Sequence, residues 1–192
     1  MRKVIAIVGM PGSGKSEVAD FFTSKGYAYI RLGQLTLDEI IKQGLEPSEA
    51  NERIIREMLR RKHGMAAFAK LNFPKIEAQK GNMIVDGLYS WEEYLAFKEK
   101  YKNFITIAVY ASPKTRHQRL IERGLRHGSD PKMKYRSFNL LEAQSRDLAE
   151  IEKLNKGGPI AMADFMVINE GTKKDLQNNL EKIFQTINAA KR

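Results

Sequence analysis

The chain contains no cysteine. That removes disulfides, thiolate metal sites and cysteine nucleophiles, and it is compatible with a reducing cytoplasm, the expected location. No apolar run approaches the roughly 20 residues needed to span a bilayer, so no membrane partner is expected. Repeats, low-complexity tracts and linker-like stretches are lacking as well. The three histidines, His63, His117 and His127, are scattered without acids at metal-ligand spacing, so surface or lid positions are expected for them. Acidic residues are in deficit: 23 Asp plus Glu against 33 Lys plus Arg leave a net charge of +10. Such an excess favours anionic ligands. It is concentrated between Lys114 and Arg136, where eight basic residues face only Glu122 and Asp130.

Against those absences stands GMPGSGKS, Gly9 to Ser16, directly after the apolar run Val4 to Val8. It fits G-x-x-x-x-G-K-[ST], a loop whose backbone N–H groups surround nucleotide phosphates. A chain of this length matches the pattern by chance only about once in 150, and here both flanks fit. RKVIAIV reads as a strand, and KSEVADFFTSKG places Val18, Phe21 and Phe22 at helical spacing before a stopping glycine. Gly9, Met10, Pro11, Gly12, Ser13, Gly14, Lys15 and Ser16, with Glu17 following, are therefore the expected contacts of ATP. Lys15 supplies a charge near the β- and γ-phosphates, Ser16 a hydroxyl for Mg²⁺, and the helix its positive end. The opening MRKVIAIVGM has the charged and apolar parts of a secretory leader, but it runs into PGSGKS without a cleavage site and reads as a buried strand.

Further along, strands alternate with amphipathic helices, the pattern of a parallel sheet covered on both faces. YAYIRL, NMIVDG, FITIAVYAS and Phe165 to Ile168 read as the remaining four strands. Capping boxes are expected at Thr36/Glu39 and Ser90/Glu93, Ser112 with Pro113 should open a helix through about Arg123, and Thr172/Asp175 should cap the last helix. Pro47 to Lys80 reads as helical with a break near His63 and Gly64. Trp91, Tyr94 and Phe97, completed by Leu95, form a packing stripe. The expectation is a three-layer α/β/α fold with a five-stranded parallel sheet. Its core spans 1–44, 81–124 and 139–192, with a helical insertion at 45–80 and a short lid at 125–138.

Asp86, at a strand end after Ile84 and Val85, stands where a second acid holds Mg²⁺ directly or through water, although Asp-Gly is also an ordinary turn. Arg116, Arg119 and Arg123 share a helix face that reads either as a cover over bound phosphates or as a solvated basic surface. Arg146, on the next helix, is a candidate for the same role.

The order of phosphate loop, VDG strand end, RHQRLIERG helix, basic segment and Asn-containing strand end resembles the nucleoside-monophosphate-kinase superfamily. QRLIER, AQSRD and ADFMVINEG are similar to dephospho-CoA kinase, and the IAMAD run resembles a group of adenylate-kinase-related proteins. The resemblance implies a P-loop kinase fold with Mg-ATP as donor and a small, anionic, nucleotide-like acceptor held partly by the helical insertion. It further implies Arg119 near the adenine, Arg123 at the phosphates, Asn169 and Gly171 bordering the adenine, and a lid closing from about Arg126 to Arg136.

Two departures concern the acceptor. Gly33 and Gln34 stand where such kinases place an Asp after the second strand, leaving Asp38, four residues on, as the substitute base. The acceptor arginines are missing too: the corresponding stretches read GQLTL and DGLYS, with Tyr89 where an Arg is expected, and Arg53, Arg56 and Arg60 are the available replacements. Two other functions compete with a phosphotransferase. One is an ATP-binding regulator or slow ATPase. The other, ranked below it for want of aromatics among the bases, is a nucleic-acid-directed kinase or ATPase. Monomer and homodimer are both compatible with the sequence.

Overall fold

The computed structural model describes residues 2–127 and 139–189, the side chains of residues 49 and 123–127 excepted. Strands β1 (Val4–Val8), β2 (Ala28–Arg31), β3 (Met83–Asp86), β4 (Phe104–Tyr110) and β5 (Phe165–Ile168) form one parallel sheet in the order β2-β3-β1-β4-β5. All five residues of β1 are buried, as its unbroken apolar run requires of a strand covered on both faces. Alternation sorts them into two cores. Val4, Ala6 and Val8 join one with Val85, while Ile5 and Ile7 join the other with Ile84, Ile107 and Val167.

Helices α1 (Lys15–Ser24) and α9 (Lys173–Ala189) cover the second core through Phe22, Leu176 and Leu180. α2 (Gln34–Lys42), α3 (Glu49–His63), α4 (Ala67–Glu77) and α5 (Trp91–Lys100) cover the first through Ile40, Ile55, Phe68 and Phe97. α6 (Pro113–His127), α7 (Leu140–Glu152) and the short α8 (Gly157–Ala161) complete the chain. Gly64, at φ 81°, ends α3 where the break was expected. Register brings the strand ends together: Ile7 pairs with Asp86, Asp86 with Arg31, Val8 with Ala108, and Tyr110 with Ile168. The segments leaving these ends all lie along one edge, the usual ligand edge of an open α/β sheet.

The box at Ser90/Glu93 forms, Thr172 and Asp175 exchange the reciprocal bonds expected of them, and a further, unexpected box forms at Asn139/Glu142. The one expected at Thr36 and Glu39 does not. α2 starts two residues earlier, immediately after buried Leu32 and Gly33, so Thr36 falls inside the first turn and is itself buried. Leu95 is 46% exposed, and the packing stripe of α5 is Trp91, Tyr94 and Phe97 without it. Helix α8 has no counterpart among the sequence expectations, since Gly-Gly-Pro resembles a loop. It forms because Gly158 lets the backbone lie against the Trp91 indole, where a Cβ would come within 2.8 Å of the ring. Among the described residues no helix is long and apolar enough to cross a membrane. The expected lid lies outside the described residues from residue 128 to residue 138, as do the side chains of 125–127.

Candidate active site

The phosphate loop runs from the end of β1 into α1. Gly12 and Gly14 hold φ of 78° and 100°, and each is also pressed by a neighbour. A Cβ on Gly12 would lie 2.5 Å from the Arg116 carbonyl oxygen, and one on Gly14 would collide with the Asn169 side-chain amide. The Lys15 ammonium donates to the carbonyls of Gly9 at 2.9 Å and Met10 at 3.1 Å. Burial pushes its pKa down to about 7, and the Lys156 ammonium presses in the same direction. Asp86 and Glu150 oppose the shift, and Arg146 adds to it.

Two braces hold the loop from outside. Asn169, at the end of β5, donates from Nδ2 to the Ser13 carbonyl at 2.8 Å, while its own carbonyl accepts from Arg119 Nη2 at 2.9 Å. Arg116 is the second brace. Its guanidinium donates to the Pro11 carbonyl at 3.1 Å, to the Ala111 carbonyl at 3.1 Å and to both Asp147 oxygens at 2.8 and 2.7 Å. Arg116 therefore does not share with Arg119 a face over the phosphates. It is buried between α6, α7 and the loop, because a guanidinium so enclosed needs a carboxylate, and Asp147 supplies it. His117 departs from its expected surface position for the same reason: it is mostly buried, with Nε2 2.9 Å from Asp147 Oδ2.

The remaining sequence candidates divide into those at the loop and those away from it. Asp86 accepts from the Tyr29 hydroxyl at 3.1 Å and acts electrostatically on Lys15. Arg146 donates to Glu150 at 3.2 Å within the same field. Arg119 Nη1 and Ser13 Oγ are buried without a hydrogen-bond partner among the described residues. Ser16 opens α1 beside Lys15. Glu17 is exposed and pairs with Lys173 at 3.2 Å, and Gly171 is an exposed residue before α9. Asp38 is exposed on α2, receiving hydrogen bonds from Gln34 at 3.1 Å and from Lys75 at 3.3 Å. Arg123 belongs to α6, but its side chain lies outside the described residues.

Sequence reasoning missed Lys156 and Glu150 and treated Tyr89 only as a departure. The Lys156 ammonium is ion-paired with Glu150 and sits 4.9 Å from the Tyr89 ring centroid. Burial alone would raise the Glu150 carboxyl. The Lys156, Arg146 and Lys15 cations overrule it and hold it at about 2. Asn155, in the left-handed region at φ 49°, turns the chain so that Lys156 faces back toward Glu150. An Asn in the run Asn-Lys-Gly-Gly-Pro, dense in turn formers, is the local signal that was available. Asp164, from the IAMAD run, is structural. It accepts from the Thr106 N–H at 2.7 Å and hydroxyl at 2.9 Å, fastening the chain ahead of β5 to β4.

Fold and site together define a P-loop protein of the nucleoside-monophosphate-kinase-like class. The AAA domain profile matches residues 5–143. Relatives match along almost the full length: a UPF0200 protein of Thermococcus kodakarensis is 34% identical over 189 residues, covering 96% of this chain and 97% of its own. A UPF0200 protein of Aeropyrum pernix is 34% identical over 177 residues, covering 92% and 89%. The chain belongs to the UPF0200 family and carries the AAA domain. Among solved structures, a shikimate kinase from Acinetobacter baumannii superimposes with a TM-score of 0.58 at 14% identity, covering 100% of this chain and 96% of its own. A gluconokinase from Sinorhizobium meliloti gives 0.53 at 15% identity, covering 100% of both chains. At such identities the likeness is one of fold.

Proposed function

We propose that this chain is an ATP-dependent phosphotransferase moving the γ-phosphoryl group of Mg-ATP to a small anionic acceptor of the nucleoside-monophosphate or dephospho-CoA type. The observation carrying this reading is the set of charges that act on Lys15 besides its own loop: Lys156, Asp86, Glu150 and Arg146. Binding a nucleotide needs the loop and its lysine. Transferring a phosphoryl group needs, in addition, preorganised charge around the reacting phosphate.

The residues present fit the donor. Positive-φ glycines leave room for close backbone approach, and the unpartnered Ser13 Oγ and Arg119 Nη1 are buried polar atoms awaiting a ligand. The oxygens of Ser16 and Asp86 suit Mg²⁺, which takes few protein ligands and completes its shell with water and phosphate. Among the described residues no cluster of three or more acidic, His or Cys side chains competes as a metal cage. When bound, Mg²⁺ neutralises phosphate charge. The chain's own part is then to cradle the phosphates on loop N–H groups and to bring Lys15, Arg123 and Arg146 to them. Arg119, Asn169 and Gly171 place the adenine. The helical segment 45–80 serves the acceptor and 125–138 the lid, which shields the reaction from competing water.

The test is transfer from γ-labelled ATP across nucleoside monophosphates, nucleosides, dephospho-CoA and short RNA. Lys15→Ala should lower transfer by at least about 100-fold with an unchanged circular dichroism spectrum. Equal transfer by that variant would overturn the role of Lys15.

A second reading, an ATP-binding regulator or slow ATPase, is favoured by one observation. The substitute base Asp38 is held by Lys75 and Gln34 and is exposed. A metabolite that speeds ATP consumption at least about 100-fold would count against it.

A further inference from the structure

The charges opposite the phosphate loop have a form of their own, and the role they are given rests on the phosphotransferase reading. Lys156 is 1% exposed, ion-paired with Glu150 and poised over the Tyr89 ring. A buried ion pair of this kind adds little stability over apolar side chains of the same volume, so its presence needs another reason. Its location supplies one. Of the charged groups acting on Lys15, Lys156 acts most strongly, ahead of Asp86 and Glu150. Two ammonium groups set against each other in a buried site repel, and an anion between them turns that repulsion into attraction on both sides.

Tyr89 lies in the DGLYS stretch, which lacks the arginine that the kinase resemblance implies there, and its ring carries a cation. Its ring and hydroxyl lie in a notch left by Gly87 and Gly33, where a Cβ would come within 3.0 Å and 3.1 Å respectively. Phe68 meets the ring edge to face, with centroids 6.4 Å apart, and carries the Arg60 guanidinium 5.0 Å from its own centroid. Arg60 Nε is buried with no partner among the described residues. Lys156 and Arg60 are thus mounted on two touching aromatic rings, one from the loop after β3 and the other from α4. Arg56, which also acts on Arg60, is paired with Glu52 at 3.0 Å.

We infer that Lys156 and Arg60, carried on Tyr89 and Phe68, form a receptor for the phosphate of a phosphomonoester acceptor, and that the attacking atom is an oxygen of that phosphate. In the transfer, a P–O bond forms between this oxygen and the γ-phosphorus while the bond from the γ-phosphorus to the β,γ-bridging oxygen breaks. ADP leaves with the electron pair. The acceptor oxygen is already ionised, so no proton has to be removed from it. That agrees with Gln34 standing in place of an acid and with Asp38 being taken up by Lys75.

The experiment uses the full chain and γ-labelled ATP, with AMP, GMP, CMP and UMP set against the four nucleosides and dephospho-CoA. Label should appear only in nucleoside diphosphates. Arg60→Met should raise the acceptor KM about 10- to 100-fold, far more than the KM for ATP. Lys156→Met combined with Glu150→Gln removes both charges of the buried pair, the new amide keeping an oxygen for Arg146, and should show the same split. Label on a hydroxyl, in a nucleoside or in dephospho-CoA, would overturn the inference and leave the phosphotransferase reading standing. ATP hydrolysis with no label on any acceptor would overturn both. Equal rises in the two KM values would mean that Lys156 and Arg60 only support the fold, and would remove them from the receptor.

Discussion

Replacing Asp147 with Ala should cost about 3–5 kcal/mol of folding stability, the usual result of stranding one member of a buried ion pair. Arg116 is 4% exposed and Asp147 9% exposed, and the guanidinium meets both carboxylate oxygens at 2.8 and 2.7 Å. Without the carboxylate only the carbonyls of Ala111 and Pro11 remain, each at 3.1 Å, and two dipoles do not replace a counter-charge. For a domain of this size the loss corresponds to a fall in Tm of roughly 10 °C. Urea unfolding gives the free energy, with the slope showing whether the compactness of the end states has changed. Arg116→Met with Asp147→Leu removes both charges and should return to within about 1 kcal/mol of the parent protein. The same double variant lacks the hydrogen bond to Pro11, so its KM for ATP should stay raised although its stability recovers. The reasoning fails if Asp147→Ala costs less than about 1 kcal/mol, or if the double variant is as unstable as the single one.

Glu93 predicts the pH dependence of stability. Burial pushes its carboxyl up from 4.5 to about 7, against the Tyr89 and Ser90 N–H groups and the Arg60 charge that favour ionisation. The folded chain therefore holds this proton more tightly than the unfolded chain. The contribution is complete below the unfolded value and is lost as pH rises through the folded one, by about 3 kcal/mol in all. Glu93→Gln should flatten the decline in urea midpoint between about pH 5 and 8, and an unchanged slope would refute the assignment. Gly14→Ala forces a Cβ into φ 100° and against Asn169. It should destabilise by about 1–3 kcal/mol and weaken binding of a fluorescent ATP analogue, and undiminished affinity would show that the loop tolerates another shape. Asn169→Ala removes the side-chain bond to the Ser13 carbonyl and should cost at least about 1 kcal/mol in the same titration.

The phosphate loop and the charges gathered beside it differ in how far they were legible from sequence, for a physical reason. Phosphate recognition is made by consecutive backbone groups, so Gly9 to Ser16 announces itself as a local pattern, and the five strands follow from apolar runs whose burial is equally local. Asp86 could be anticipated because a strand end is a local feature. Lys156 could not, since its partners Glu150, Tyr89 and Lys15 come together only through the turn at Asn155 and the packing of α8 on Trp91. Arg116 shows the reverse error. Helical spacing put it with Arg119, but α7 supplied Asp147 from 31 positions away and the two arginines took different roles. Thr36 carried the residues of a cap without being one, because the connection after β2 is too short for α2 to begin there.

The two braces of the phosphate loop also set the order in which the site can come into being. Arg116 meets Pro11 across 105 positions of sequence and Asn169 meets Ser13 across 156. A growing chain makes its glycine-rich loop well ahead of β5, and lacks the second brace until β5 has emerged and docked on the edge of β4. At roughly 5–20 residues per second the interval is on the order of ten seconds. Through it the loop has its sequence but not its shape, so nucleotide binding waits on β5 and reports on the docking of that strand.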